Sequence, residues 1–196
     1  MVLVLAVSLV GMAVALARGG RFRNLSDVRI KQWWLLPLAF ALQLAAAVVP
    51  DLAGWSRGAT LSLLLGSYVP LLILVALNRS TPGMWLVGVG ILMNFTVIVA
   101  NGGMPVLSEA AYVAGGTNAD ADIIASAKHV LLDTSTVLPF LGDVIPVRLF
   151  GYGQVISLGD VFLAVGLARV LEHELRQPVR WFKHGARTEA GSAARR

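Results

Sequence analysis

Apolar stretches long enough to cross a bilayer recur along this chain, and short polar turns separate them. That recurrence constrains the fold more than any motif does. A membrane-crossing helix needs about 20 largely apolar residues, with about 17 as a lower limit. Five stretches meet or approach that length, at 1–17, 33–49, 59–77, 84–100 and 154–171. They predict an all-α protein, a polytopic transmembrane helical bundle of about five spans in one domain covering 1–172. Only 14% of the residues are charged, against roughly 25% in a typical soluble domain, so the polar surface that water requires is missing.

The charges that exist are sorted by position. Arg18, Arg21, Arg23, Arg29 and Lys31 follow the first stretch, and Arg176, Arg180, Lys183 and Arg187 lie in a basic tail over 173–196. The long connection 101–153 is acidic, with Glu109, Asp120, Asp122, Asp133 and Asp143 opposed only by Lys128 and Arg148. Positive segments stay on the cytoplasmic side of a membrane. The pattern therefore predicts a bacterial cytoplasmic (inner) membrane protein with its N-terminus and long loop outside and its C-terminus inside. A signal peptide is the rival reading of 1–17, but its positive charge would precede the apolar core rather than follow it. Trp33 and Trp34 open the second stretch, where indole rings favour headgroup depth. The net charge of +5 is read as contact with anionic lipid headgroups, and nucleic acid is not expected as a partner.

The absence of cysteine excludes disulfides, thiolate metal sites and thiol nucleophiles. His129, His173 and His184 lie far apart in sequence, so no metal site is predicted, and no cofactor. The residues that can carry chemistry are polar groups inside or beside the apolar stretches. Asp160 sits within the fifth stretch, where a carboxylate costs about 2.5–3.5 kcal/mol to insert, and it is read either as an acid or as an interhelical hydrogen-bonding group. Asn94 and Asn101 are candidate binding amides, and Gln43 is a further interhelical one. Gly88 and Gly90 are expected to permit close helix approach.

In the long loop, Asp122, Ser126, His129 and Asp133 share one helical face, which predicts an amphipathic helix on the outer surface. On such a helix Asp133 would lie one turn from His129 and could orient its imidazole for acid–base work. The segment 136–150 contains Pro139, Asp143, Pro146 and Arg148 and is expected to lie on or dip into the outer leaflet. The string Leu-Gly-Asp-Val occurs at 141–144 and again at 158–161. If the two copies converge, Asp143 and Asp160 could share a proton, as aspartic hydrolases require. Asn101-Gly102-Gly103-Met104-Pro105 reads as a turn leaving the fourth stretch. The sequons Asn78-Arg79-Ser80 and Asn94-Phe95-Thr96 read as chance matches.

Four strings, Asn101 to Pro105, Lys128-His129, Leu138 to Pro146 and Ile156 to Val161, occur in an order that resembles a bacterial family of small membrane proteins catalogued as a domain of unknown function. The resemblance extends to about Glu172 and implies an integral membrane protein without an established activity. A fainter similarity is to the lipoprotein signal peptidases, small membrane enzymes with two aspartates near the outer face. It implies a comparable role for Asp143 and Asp160, although the asparagine-rich motifs of those enzymes are absent. Three functions follow as expectations. The leading one is an accessory or structural component of a larger membrane complex, whose partners are other membrane-protein subunits. A membrane-embedded hydrolase or transferase using Asp160, Asp143, His129 and Asp133 at the outer face is the second. A small-solute or proton carrier is the third.

Overall fold

The computed structural model describes residues 2–22, 24, 30–54, 56–115, 128–149 and 151–177. Seven α-helices are formed among them: α1 Val2–Ala17, α2 Leu35–Ala53, α3 Arg57–Gly66, α4 Tyr68–Leu77, α5 Met84–Asn101, α6 Ser108–Ala114 and α7 Leu158–Arg176. The described residues are mostly helical, and among them two helical segments, Arg57–Leu77 and Met84–Asn101, are long and apolar enough to cross a membrane.

The first of these is α3 and α4 set end to end, because Pro70 has no N–H to give the carbonyl of Gly66. Ser67 fills the joint, fully buried, with helical backbone angles, and its N–H donates to the carbonyls of Leu63 and Leu64 at 3.1 Å. The second, α5, lies between two glycines in the left-handed region, Gly83 (φ 94°) and Gly102 (φ 66°). Side chains other than glycine rarely tolerate that conformation.

The most extensive contacts are α5 with α7 and α1 with α7. Small residues make them possible. A methyl group added at Gly90 would lie 2.5 Å from the carbonyl oxygen of Gly159, and one added at Gly83 would lie 2.6 Å from that of Gly166. Close backbone approach at small residues is how helices associate where water supplies no hydrophobic drive. Gly11 of α1 meets Ala168 of α7 in the same way, and Gly88 meets Val75 of α4.

These contacts also fix direction. The end of α1 meets the end of α7 through Arg18 and Glu172, and the N–H of Arg21 donates to the carbonyl of Leu175 (3.1 Å). Asn78, at the end of α4, accepts from the N–H of Lys31 (2.7 Å) and donates to its carbonyl (3.0 Å), just before α2 begins. The start of α5 lies against the last turns of α7. One end of the helical core, the basic end, thus collects Arg18, Lys31, Asn78, Gly83 and Glu172. The finish of α5 and the start of α7 form the loop end.

The wholly helical expectation is corrected at the loop end, where two small sheets form. Strands β1 (Met104–Val106) and β2 (His129–Leu131) pair in parallel, with Met104 opposite His129 and Val106 opposite Leu131. Strands β3 (Ile145–Leu149) and β4 (Tyr152–Ile156) form an antiparallel hairpin around Gly151 (φ 83°). Residues 129–131 of the expected amphipathic helix are therefore strand, and its earlier part lies outside the described residues. The segment 136–150 contributes a single 3-10 turn at Pro139–Leu141, packed on α5 and α7, and then β3. The last helix begins at Leu158 rather than near 154, because 152–156 are strand.

An apolar core that includes Leu64, Leu74, Ile91, Val97, Ile98 and Leu175 is buried, yet many large apolar side chains face outward. Leu36, Phe40, Leu44, Val69, Ile73, Trp85, Leu92 and Val99 are exposed along the helices, as are Trp33 and Trp34 just before α2, while Thr60, Ser67, Asn78, Asn94 and Ser157 are buried. Asn78 is only 3% exposed and its amide is fully engaged, which leaves its sequon without an accessible acceptor.

Candidate functional site

The polar groups of the loop end are built around the start of α7. Ser157 is its N-cap: its Oγ accepts from the N–H of Asp160 (3.0 Å), and its own N–H donates to Asp160 Oδ2 (3.4 Å). This reciprocal pair is a capping box, which satisfies two orphan donors of the first helical turn. Asn94 of α5 completes the arrangement. Its Nδ2 donates to Asp160 Oδ1 (2.9 Å), and its Oδ1 accepts from Ser157 Oγ (2.9 Å). The cleft that admits Asn94 exists because position 159 is glycine; a Cβ there would lie 2.0 Å from Asn94 Oδ1. Asp160 is therefore not stranded within an apolar helix. It stands in the first turn, tied to a neighbouring helix and to its own cap.

Asp143 reaches the same region by a different route. Its N–H donates to the carbonyl of Pro105 (2.7 Å), its carbonyl accepts from the N–H of Leu107 (2.9 Å), and it bridges Val106 on the side of β1 away from β2. Its carboxyl Oδ1 is buried with no hydrogen-bond partner among the described residues. Burial, and then the negative charge of Asp160, push the Asp143 carboxyl up to about 7, against a smaller opposing pull from Lys128. The two Leu-Gly-Asp-Val copies thus adopt different backbones, one extended and one helical, while the charge of Asp160 acts on the Asp143 carboxyl. Tyr68, buried against Phe95 with ring centroids 5.6 Å apart, lies within electrostatic reach of both.

The other predicted residues separate. His129 sits in β2, where burial and then Lys128 push its imidazole down to about 4, so it is neutral at pH 7. Its carbonyl accepts from Arg57 at the start of α3 (3.4 Å). Asp133 is not one helical turn from it. Asp133 is an exposed turn former whose Oδ1 accepts from the N–H (2.8 Å) and the hydroxyl (2.6 Å) of Ser135, and these bonds hold its carboxyl below the usual range. Asn101 fastens the loop to α5: its Nδ2 donates to the carbonyls of Val97 (2.8 Å) and Val137 (2.9 Å), and its Oδ1 accepts from the N–H of Val137 (2.8 Å). Those bonds occupy the amide in structure. Sequence reasoning missed Ser157, although Ser-x-x-Asp ahead of an apolar run is a helix-start signature. It also missed Tyr68, for which no local pattern exists.

A family model described as "Family of unknown function (DUF5317)" matches residues 27–171. The chain belongs to that family. The match covers every element of the loop-end arrangement in this DUF5317 chain, including Tyr68, Asn94, Asp143, Ser157 and Asp160, and it stops just before Glu172. An uncharacterized protein of Thermotoga maritima is 30% identical over 150 residues, which span 76% of this chain and 78% of that protein. No solved structure matches the DUF5317 chain.

Proposed function

We propose that this chain is a five-span protein of a bacterial cytoplasmic membrane whose outer end carries an acid–base site made of Asp143 and Asp160. Two observations support the membrane part. The helices alternate in direction, with α1 and α7 parallel and α5 running against α7, and the apolar side chains point outward along them. The basic segments gather at one end, which the positive-inside rule assigns to the cytoplasm. That leaves the loop end, with β1 to β4, outside.

The observation that carries the acid–base reading is the buried, unpartnered Oδ1 of Asp143 beside a second carboxylate. A buried polar atom without a partner calls for an explanation, and two carboxyls held in different environments are the usual acid and base of hydrolysis. In this reading Asp143 holds the proton and donates it to a leaving group. Asp160, oriented by Asn94 and Ser157, accepts a proton from the attacking water or hydroxyl. The reaction class is hydrolysis or group transfer at the outer face of the membrane. A second reading, an accessory subunit of a larger membrane complex, draws support from Asp160 and Asn94, whose hydrogen bonds are spent within the protein.

The test is Asp143→Asn, introduced into the native chromosome and compared with wild type and with a gene deletion. Normal membrane abundance together with the deletion phenotype is the expected result. Normal abundance with wild-type behaviour excludes Asp143 from function, and low abundance makes it a packing residue. In purified protein, a protonated-carboxyl infrared band that titrates near pH 7 should be present in wild type and absent in Asp143→Asn.

A further inference from the structure

At the basic end, one carboxylate organises three arginines. Glu172, buried on α7, accepts from Arg18 Nη1 at Oε1 (2.9 Å) and from Arg169 Nη1 at Oε2 (2.7 Å), and Arg176 Nη1 lies 3.6 Å from Oε1. The three arginine side chains remain more than half exposed. Beside them opens a cavity of about 260 Å³, lined by Pro82, Arg169, Glu172, His173, Arg176 and Gln177. Three guanidiniums against one carboxylate leave the cluster with two positive charges in excess. Each guanidinium has five N–H donors, so most of them are not spent on Glu172. Holding arginines in place before a ligand arrives removes part of the ordering cost of binding.

The level of the cavity is marked by tryptophans. Trp33 and Trp34 precede α2 and Trp85 opens α5, all at this end and all exposed. Indole rings so placed belong at the depth of lipid headgroups. We infer that this cavity binds the phosphate of an anionic phospholipid headgroup, with Arg169 and Arg176 as its ligands and Glu172 as the residue that positions them. Arginine suits this role because its planar fork can contact two phosphate oxygens at once. The inference uses the membrane placement proposed above and is independent of the acid–base site.

The experiment uses the full chain, purified in a neutral detergent without phosphate. Phosphatidylglycerol, phosphatidylcholine and inorganic phosphate are titrated separately, and binding is read as a shift of the thermal unfolding midpoint and as lipid retained in native mass spectra. Phosphatidylglycerol should bind, phosphatidylcholine should bind more weakly, and added salt should weaken the interaction. Arg176→Gln should bind about tenfold more weakly, the loss of one charge-assisted contact. This variant leaves Glu172 paired with Arg18 and Arg169, so its unliganded unfolding midpoint should stay close to wild type. Arg148→Gln, at the loop end, should bind like wild type. A response to inorganic phosphate with none to phosphatidylglycerol would overturn the lipid source. Equal affinity of wild type and Arg176→Gln, or no response to any of the three, would overturn the site itself. Membrane fractionation of the same strain keeps these failures separate from failure of the membrane placement.

Discussion

Replacing Gly159 with alanine tests the central contact of the fold. The new Cβ would stand 2.0 Å from Asn94 Oδ1 and 2.9 Å from the carbonyl oxygen of Gly90. A carbon and an oxygen settle at about 3.3 Å or beyond, so one of two things gives way. If Asn94 withdraws, its 2.9 Å bonds to Asp160 and Ser157 are lost. At about 0.6 kcal/mol each, the average between membrane helices, that costs about 1 kcal/mol. If Asn94 stays, α5 and α7 must separate, and overpacking of this kind costs about 1–3 kcal/mol. Both routes predict a loss of about 1–3 kcal/mol, a change of about five- to 150-fold in the unfolding equilibrium. The measurement is reversible unfolding in detergent, followed by helicity, with Gly66→Ala as control. A Cβ at Gly66 meets nothing within 4 Å, so that variant should be unchanged or slightly more stable. Asn94→Ala should make room for the methyl, so the double variant should cost less than the sum of the two singles. An unfolding midpoint for Gly159→Ala equal to wild type would refute the close packing of Asn94 against position 159.

Further expectations concern protons, caps and topology. Asp143 keeps a proton in the folded chain between its ordinary value of 3.8 and about 7, where the unfolded chain has released it. Stability contributed by that proton is present at low pH and lost as pH rises through that window. The depressed His129 has the opposite slope, so Asp143→Asn should make stability rise more steeply with pH there than in wild type. Curves for wild type and Asp143→Asn that run parallel from pH 4 to 7 would show that Asp143 ionises normally. Asn78→Ala removes the bonds to Lys31 and to the carbonyl of Leu74 (2.8 Å), and should cost about 2–3 kcal/mol in the same unfolding assay; a change below about 0.5 kcal/mol would show them to be inessential. Because the chain has no cysteine, single cysteines report topology without background. Ser135→Cys should react with an impermeant maleimide on intact cells and Ser192→Cys only after lysis, and the reverse pattern would invert the proposed orientation.

The helical part of this fold is legible in the sequence because apolar runs report helices directly. The turns at Pro82-Gly83 and Asn101-Gly102-Gly103 were readable from residues that punctuate any chain. The division of α3 from α4 could have been read from Pro70, but uninterrupted hydrophobicity conceals it. The loop end was less legible for a physical reason. Periodicity separates helix from strand only over runs longer than the three residues of β1 and β2, and a parallel pair depends on partners far apart in sequence. Spacing put His129 and Asp133 on one helical face, yet pairing with Met104 draws His129 into a strand, while local bonds hold Asp133 in a turn. Asp160 shows the opposite limit. Its chemistry was visible as an oddity in an apolar run, but its hydrogen-bonding context required Asn94, which lies on another helix.

The glycines along α5 and α7 have a mechanical consequence. Gly83 and Gly90 are seven residues apart, as are Gly159 and Gly166, and each meets its counterpart backbone to backbone. A slide of α7 by one turn would set Leu163 or another bulky side chain against a position shaped for a hydrogen atom, so the two helices are indexed like a key in a keyway. The same rod carries Asp160 near one end and Glu172 near the other, about 18 Å apart along its axis. A ligand that pulls on the arginines around Glu172 would therefore reach Asp160 by tilting or rotating α7 as a whole, since the notches along α5 bar it from shifting lengthwise.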